Sequence, residues 1–131
     1  MSVEPVDTPS APAVRGPYSP AVRAGDWIVC AGQVGIDPAT GVLVEGGVRA
    51  ETLQVLANLR GVLADAEAGW GDVAKVVVFL RDLGDFGTMN ELYEAEVGEH
   101  RPARSTVQVV ALPAGASVEI ECWAYVGPSV A

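Results

Sequence analysis

Arg104 and Glu119 are the two side chains whose type and setting point most directly to chemistry. Each lies in a segment that otherwise reads as β-strand, and a Leu112-Pro113-Ala114-Gly115 turn separates the two segments. Side chains alternate along a strand, so Arg104, Thr106 and Gln108 share one face and Ser105, Val107 and Val109 the other. On the second segment Val118, Ile120, Cys122 and Ala124 face one way, and Glu119, Glu121, Trp123 and Tyr125 the opposite way. A guanidinium is always charged and grips a carboxylate through a planar fork, each charged hydrogen bond being worth ~1.5–3 kcal/mol. The plain alternative is an internal ion pair between Arg104 and Glu119 or Glu121. Such pairs stabilise poorly compared with apolar packing, so their placement in a sheet leaves function as a competing reason.

A simple hairpin keeps these groups apart. Folded about the Leu112 to Ser117 turn, it sets Arg104 near Ala124 and Glu119 near Val109, a separation of roughly 17 Å at ~3.4 Å per residue. For both to touch one small substrate, the strands must pair differently or the site must cross a subunit boundary.

The elements that must hold these residues follow from pattern and punctuation. Residues 1–12, with Pro5, Pro9 and Pro12, read as a tail or a loosely held edge strand over Ser2 to Val6. Gly16-Pro17-Tyr18-Ser19-Pro20 fixes a rigid turn that either presents Tyr18 at a defined place or lays it over the rim of the core. Asp26 to Val34 is a strand interrupted by Gly32, which marks a bulge or a close approach by a ligand or another chain. A turn-rich loop then leads to Val42-Leu43-Val44. From Val48 to about Glu67 the period changes: Leu53, Leu56, Leu59 or Arg60, and Leu63 form the stripe of a helix lying on a sheet. Asp72 to Asp82 is almost continuously apolar and fits a central strand covered on both faces, Lys75 snorkelling from its end. Asp85 is placed to cap a second helix, with Phe86, Met89, Tyr93 and Val97 on its stripe and Asn90 beside it. Residues 127–131 form a short tail. The order predicts a single α+β domain over 1–131, a mixed sheet with two helices on one face and the other face left to be buried by something.

Composition narrows the functional classes. The chain has 131 residues, half of them hydrophobic, and a mean hydropathy of +0.29, high for a small monomer and consistent with apolar surface buried between subunits. Eight Lys and Arg against 17 Asp and Glu give a net charge of −9, which disfavours nucleic acid and anionic membranes as partners. No apolar run approaches the ~20 residues of a membrane span and no signal pattern opens the chain, so the expected location is cytoplasmic. Cys30 and Cys122 lie far apart in sequence, without CxxC spacing, and read as buried reduced thiols. His100 is the one histidine, so no structural metal site is expected.

Pro102-Ala103-Arg104-Ser105-Thr106-Val107, Leu112-Pro113 and Val118-Glu119-Ile120-Glu121 together resemble the signature of the RidA/YjgF family of enamine/imine deaminases. Gly16-Pro17-Tyr18, Gly32-Gln33-Val34 and Phe79-Leu80-Arg81-Asp82-Leu83-Gly84-Asp85-Phe86 extend the likeness over most of the chain. The resemblance implies a chorismate-mutase-like fold, a homotrimer with pockets at subunit interfaces, and cofactor-free hydrolysis of 2-aminoacrylate and related 2-imino acids to 2-keto acids and ammonia. It assigns the substrate carboxylate to Arg104 and the attacking water to Glu119. By the same resemblance Tyr18, Ala31, Gly32, Asn90 and Thr106 would line the pocket, Gly32 and Thr106 through backbone groups. Ala31 stands where such proteins commonly carry serine, Thr106 where they carry cysteine, and the run Gly98 to Pro102 is shorter than usual. Retained Arg104 and Glu119 fit a 2-iminobutanoate/2-iminopropanoate deaminase-like hydrolase. The departures leave a general scavenger and a deaminase for one particular imino acid both open. Two further readings of the same fold are a noncatalytic small-carboxylate-binding or regulatory protein and an endoribonuclease, the latter opposed by the acidic charge.

Overall fold

The computed structural model describes residues 2–128; Met1 and residues 129–131 of the expected C-terminal tail lie outside the described residues. Six strands form one mixed sheet: β1 (Val3–Pro5), β2 (Ala21–Ala24), β3 (Trp27–Gln33), β4 (Val73–Leu80), β5 (Ala103–Gln108) and β6 (Val118–Tyr125). Their spatial order is β1-β2-β3-β6-β4-β5. Helices α1 (Gly47–Asp65) and α2 (Phe86–Val97) connect β3 to β4 and β4 to β5 and pack on the same face of the sheet.

That order corrects the hairpin. β6 does not return along β5 but lies between β3 and β4, antiparallel to both, while β5 runs parallel to β4 at the sheet edge. The physical reason is competition for partners. The apolar β4 offers one edge to β6 and the other to β5, so each is satisfied by a better-covered neighbour than the other. Parallel β5 requires a crossover from β4, which α2 supplies.

Alternation then assigns faces. Ile28, Val76, Val78, Leu80, Val118, Ile120 and Ala124 are fully buried against Val55, Leu56, Leu59, Val62 and Leu63 of α1 and Met89 of α2. Each of these side chains larger than alanine contributes about 1.5–3 kcal/mol by leaving water. β4 is therefore covered on one face in this chain rather than on two, since Lys75, Val77 and Phe79 on its other side are only half-buried. The Lys75 ammonium reaches Ser105 Oγ at 2.9 Å, as a snorkelling lysine does. Val107 on β5 belongs to the same uncovered side and is exposed.

Smaller expectations are corrected too. Leu53 is 53% exposed, because the buried stripe of α1 runs through Thr52, Val55, Leu56, Leu59 and Leu63. Asp85 makes no side-chain cap. Asp82 does the capping one turn earlier, accepting from the amide of Gly84 at 2.8 Å in a short 3-10 turn that feeds α2. Cys30 and Cys122, distant in sequence, face each other across β3 and β6 as buried free thiols. Of the two readings of the N-terminal residues the edge strand holds: β1 pairs with β2 at the sheet edge, and Ser10 bonds the Asp65 carboxylate through both its amide and its hydroxyl. No described helix is long and apolar enough to cross a membrane.

Asn58 ties α1 to the loop that follows β3. It is 2% exposed, donates to the carbonyls of Val34 (3.3 Å) and Ile36 (2.9 Å), and accepts from Gln54 at 2.9 Å. Asn58→Ala leaves two carbonyls without that donor and is expected to cost about 1–3 kcal/mol. Urea unfolding at fixed protein concentration checks it. An unchanged midpoint would mean that the loop satisfies those carbonyls unaided.

Candidate active site

The residues singled out by sequence fall into two groups on opposite faces of the sheet. Arg104 pairs in register with Val76, whose side chain is buried under the helices, and its guanidinium turns toward α2. There it lies 4.7 Å from the ring centroid of Tyr93 and 5.5 Å from that of Phe86. These rings hold a cation through their π faces while leaving its in-plane N–H donors free. Neither of the two ion pairs among the described residues, Arg60–Glu96 and Arg101–Glu94, uses Arg104. Asn90, Glu94, Arg101 and Pro102 surround the same recess. Thr106, two residues along β5, has a buried hydroxyl without a hydrogen-bond partner, as does Tyr93. Burial pushes the Tyr93 phenol up, and the Arg104 charge opposes that rise.

Glu119 pairs with Phe79 and points to the uncovered face. It lines a cleft of about 530 Å³ together with Tyr18, Pro20, Ala31, Gly32 and Gln33. The cleft exists because β3 bulges. Ala31 and Gly32 together oppose the one β6 residue between Ile120 and Cys122, so the pairing slips between Cys30 and Gln33. The Glu119 side chain lies directly over Gly32: a Cβ there would come within 2.5 Å of Glu119 Oε2. The close approach expected at Gly32 is thus made by this chain's own glutamate. Tyr18 is exposed at the cleft's edge, presented by the Gly16–Pro20 turn rather than covering the core.

Burial is the larger cause that pushes the Glu119 carboxyl above its usual 4.5, with Glu121 adding a smaller push. The native chain therefore holds that proton more tightly than the unfolded chain, and stability falls as pH rises from 4.5 through the raised value. Glu119→Gln is expected to remove that fall. Urea midpoints between about pH 4 and 7 test this, and superimposable pH profiles of native and variant chains would refute it.

The resemblance gathers Arg104, Asn90 and Thr106 with Tyr18, Ala31, Gly32 and Glu119 in pockets between subunits, and within one chain the two groups lie apart. Arg104 stands at the level of Val76 and Glu119 at that of Phe79, with β4 between their strands. Three residues along and two strand spacings across give roughly 14 Å between backbones, and the side chains diverge from there. Sequence reasoning also passed over Phe86 and Tyr93, read as core stripe, and Arg15, which lines the cleft of Glu119. The signal for the rings was their position on the α2 stripe beside Asn90; for Arg15 it was adjacency to the Gly16-Pro17-Tyr18 turn. His100 belongs to neither group, since its Nε2 is bound to the Val73 carbonyl at 2.7 Å. Among the described residues no three His, Cys, Asp or Glu side chains converge as a metal site would require.

Comparison with known proteins agrees with this architecture. The model of the endoribonuclease L-PSP family matches residues 8–126. A mouse protein named 2-iminobutanoate/2-iminopropanoate deaminase is 46% identical over 125 residues, which are 95% of this chain and 93% of the relative. A RutC family protein of Pyrococcus abyssi is 44% identical over 125 residues, 95% of this chain and 98% of the relative. The crystal structure of RidA from an Antarctic Psychrobacter superposes with a TM-score of 0.89 at 43% identity, covering 93% of this chain and 98% of that one.

Proposed function

The chain belongs to the RidA/YjgF family, and from that premise we propose that it hydrolyses reactive 2-imino acids to 2-keto acids and ammonia in sites completed between subunits. The observation that carries the reading is Arg104: a guanidinium seated on two aromatic rings at a free sheet edge, outside both ion pairs of the described residues. Such a group is made for a carboxylate supplied from outside the chain. Glu119 lines the second half of the site, and a homotrimer brings the Arg104 recess of one subunit to the Glu119 cleft of the next. The uncovered sheet face, with Val77, Phe79 and Val107, is the surface that such an assembly buries.

In that combined site Arg104 holds the substrate carboxylate and Tyr18, Ala31, Gly32, Asn90 and Thr106 line the space around it. Glu119 accepts a proton from water as the water oxygen attacks C2 of the protonated imine. Collapse of the resulting carbinolamine expels the nitrogen: R–C(=NH₂⁺)–COO⁻ and H₂O become R–CO–COO⁻ and NH₄⁺. A carboxyl pushed up by burial is suited to take that proton and return it to the leaving nitrogen. No cofactor takes part in these steps, since the protonated imine is already electrophilic. RNA cleavage is the less favoured reading: the chain carries −9, and His100 is engaged with the Val73 carbonyl.

The test is ammonia and 2-keto acid release from 2-imino acids freshly generated by amino acid oxidases, 2-aminoacrylate included. Release faster than the spontaneous rate is expected. Rates equal to it across small, apolar and acidic imines, with 2-keto acids still bound, would replace the enzyme with a carboxylate-binding protein of the same fold.

A further inference from the structure

The Glu119 cleft contains a second charged residue that the deaminase reading does not use. Among the described residues Arg15 is the one cation that lines it; apart from Glu119, the remaining lining residues are uncharged, among them Pro20, Ala31, Val34 and Ile36. Arg15 is anchored: its Nη2 donates to the carbonyl of Gly41, in the turn that follows Ile36. The turn is shaped to receive it, for Gly41 has φ +75° and a Cβ there would stand 3.3 Å from Nη2. One contact is spent on that anchor, and a guanidinium has five N–H donors. Arg15 takes part in neither ion pair of the described residues.

We propose that Arg15 is a specificity-determining residue that binds a second carboxylate on the substrate side chain, so that the cleft takes 2-imino dicarboxylates of the 2-iminosuccinate and 2-iminoglutarate type. The inference rests on the deaminase reading above. Arg104 of one subunit takes the carboxylate next to the imine, Glu119 faces C2, and Arg15 takes the distal acid. The reaction balances as ⁻OOC–CH₂–C(=NH₂⁺)–COO⁻ plus H₂O giving ⁻OOC–CH₂–CO–COO⁻ plus NH₄⁺. A cleft of about 530 Å³ accommodates the longer skeleton, and its apolar wall contacts the intervening methylenes. The reaction supplying such a substrate is the oxidation or dehydrogenation of an acidic amino acid, and the product is a 2-keto dicarboxylate.

Imines generated from aspartate and glutamate, from alanine and leucine, and from phosphoserine separate the possibilities. The readout is the ratio of kcat/KM for dicarboxylic over monocarboxylic imines. In Arg15→Ala that ratio is expected to fall about 10- to 100-fold, mainly through KM, as loss of one charged hydrogen bond predicts. Arg15→Lys should recover part of it. An unchanged ratio overturns the proposal, and so does a preference for the phosphorylated imine over the dicarboxylic ones. Calorimetry with 2-oxoglutarate against pyruvate reads the same preference without turnover. Tighter binding of 2-oxoglutarate that depends on Arg15, in a chain that hydrolyses no imine, would sink the deaminase reading while keeping the ligand class. Equal binding of both acids would sink the ligand class.

Discussion

Arg104→Ala is expected to lower kcat/KM for 2-imino acid hydrolysis by about 10²- to 10⁴-fold while the chain still folds. The magnitude follows from losing a two-pronged grip on a carboxylate, two charged hydrogen bonds at ~1.5–3 kcal/mol each, with 1.36 kcal/mol per decade of rate. The fold should survive because Arg104 lies on the edge strand, half-exposed, and no hydrogen bond or ion pair of the described residues depends on it. What the native state loses is the stacking on Tyr93 and Phe86, about 0.5–1 kcal/mol per exposed cation–π contact. Arg104→Lys retains the charge without the fork and should fall between native and alanine. Ammonia release at substrate concentrations well below KM measures the effect, with far-ultraviolet circular dichroism and urea midpoints as the folding control. A folded Arg104→Ala chain that deaminates at the native rate would remove the carboxylate role from this residue.

How much of this was written in the sequence can be judged from particular residues. The helix over Gly47–Asp65 is plain from the period of its apolar residues, and the strand over Val73–Leu80 from an almost continuous apolar run, which suggests cover on two faces where the chain covers one. Gly32 was readable as a bulge because a glycine inside a β-rich run has few other uses. The pairing of β5 was not readable. Alternation tells which residues share a face of one strand, but it is silent on which strand lies next to it. Val107 and Ile120 would satisfy a hairpin and the observed sheet equally well by pattern. Only the demand of the apolar β4 for two partners decides, and that is a property of the whole sheet. The same limit explains the site. Type and motif single out Arg104 and Glu119 as the unusual charges, yet their placement on opposite faces depends on β4 standing between them. Phe86 and Tyr93 were absorbed into a core stripe because an aromatic ring under a guanidinium has the same helical spacing as one under a leucine. Leu53 was misassigned for the converse reason: heptad-like spacing admitted it to the stripe, while Thr52 is the residue actually buried.

Glu119→Gln is expected to be as damaging as Arg104→Ala, and a mixture of the two variants is expected to recover activity that neither has alone. Glutamine keeps the shape over Gly32 but cannot take a proton from water, and positioned general bases contribute typically 10²- to 10⁴-fold. The mixing result follows from geometry. Within one chain Arg104 and Glu119 sit roughly 14 Å apart at the backbone and point to opposite faces, so no small imino acid spans them. If each site takes Arg104 from one subunit and Glu119 from its neighbour, a chain lacking only the glutamate can lend its arginine to a chain lacking only the arginine. Random assembly of equal amounts gives native composition at about a quarter of all sites, and at about one site in three of the trimers that contain both chains, independent of which variant carries which tag. The two chains should be co-expressed with different affinity tags and isolated through both, so that only mixed oligomers are assayed. Recovery is expected there and not in a mixture of preassembled homo-oligomers that have had no time to exchange. Mixed oligomers that contain both chains and remain as inactive as either variant alone would place the two residues in separate roles, and the shared site would have to be abandoned. Recovery would establish that the exposed edge bearing Arg104 and the uncovered face bearing Glu119 are two halves of one surface, which a single chain presents but does not itself close.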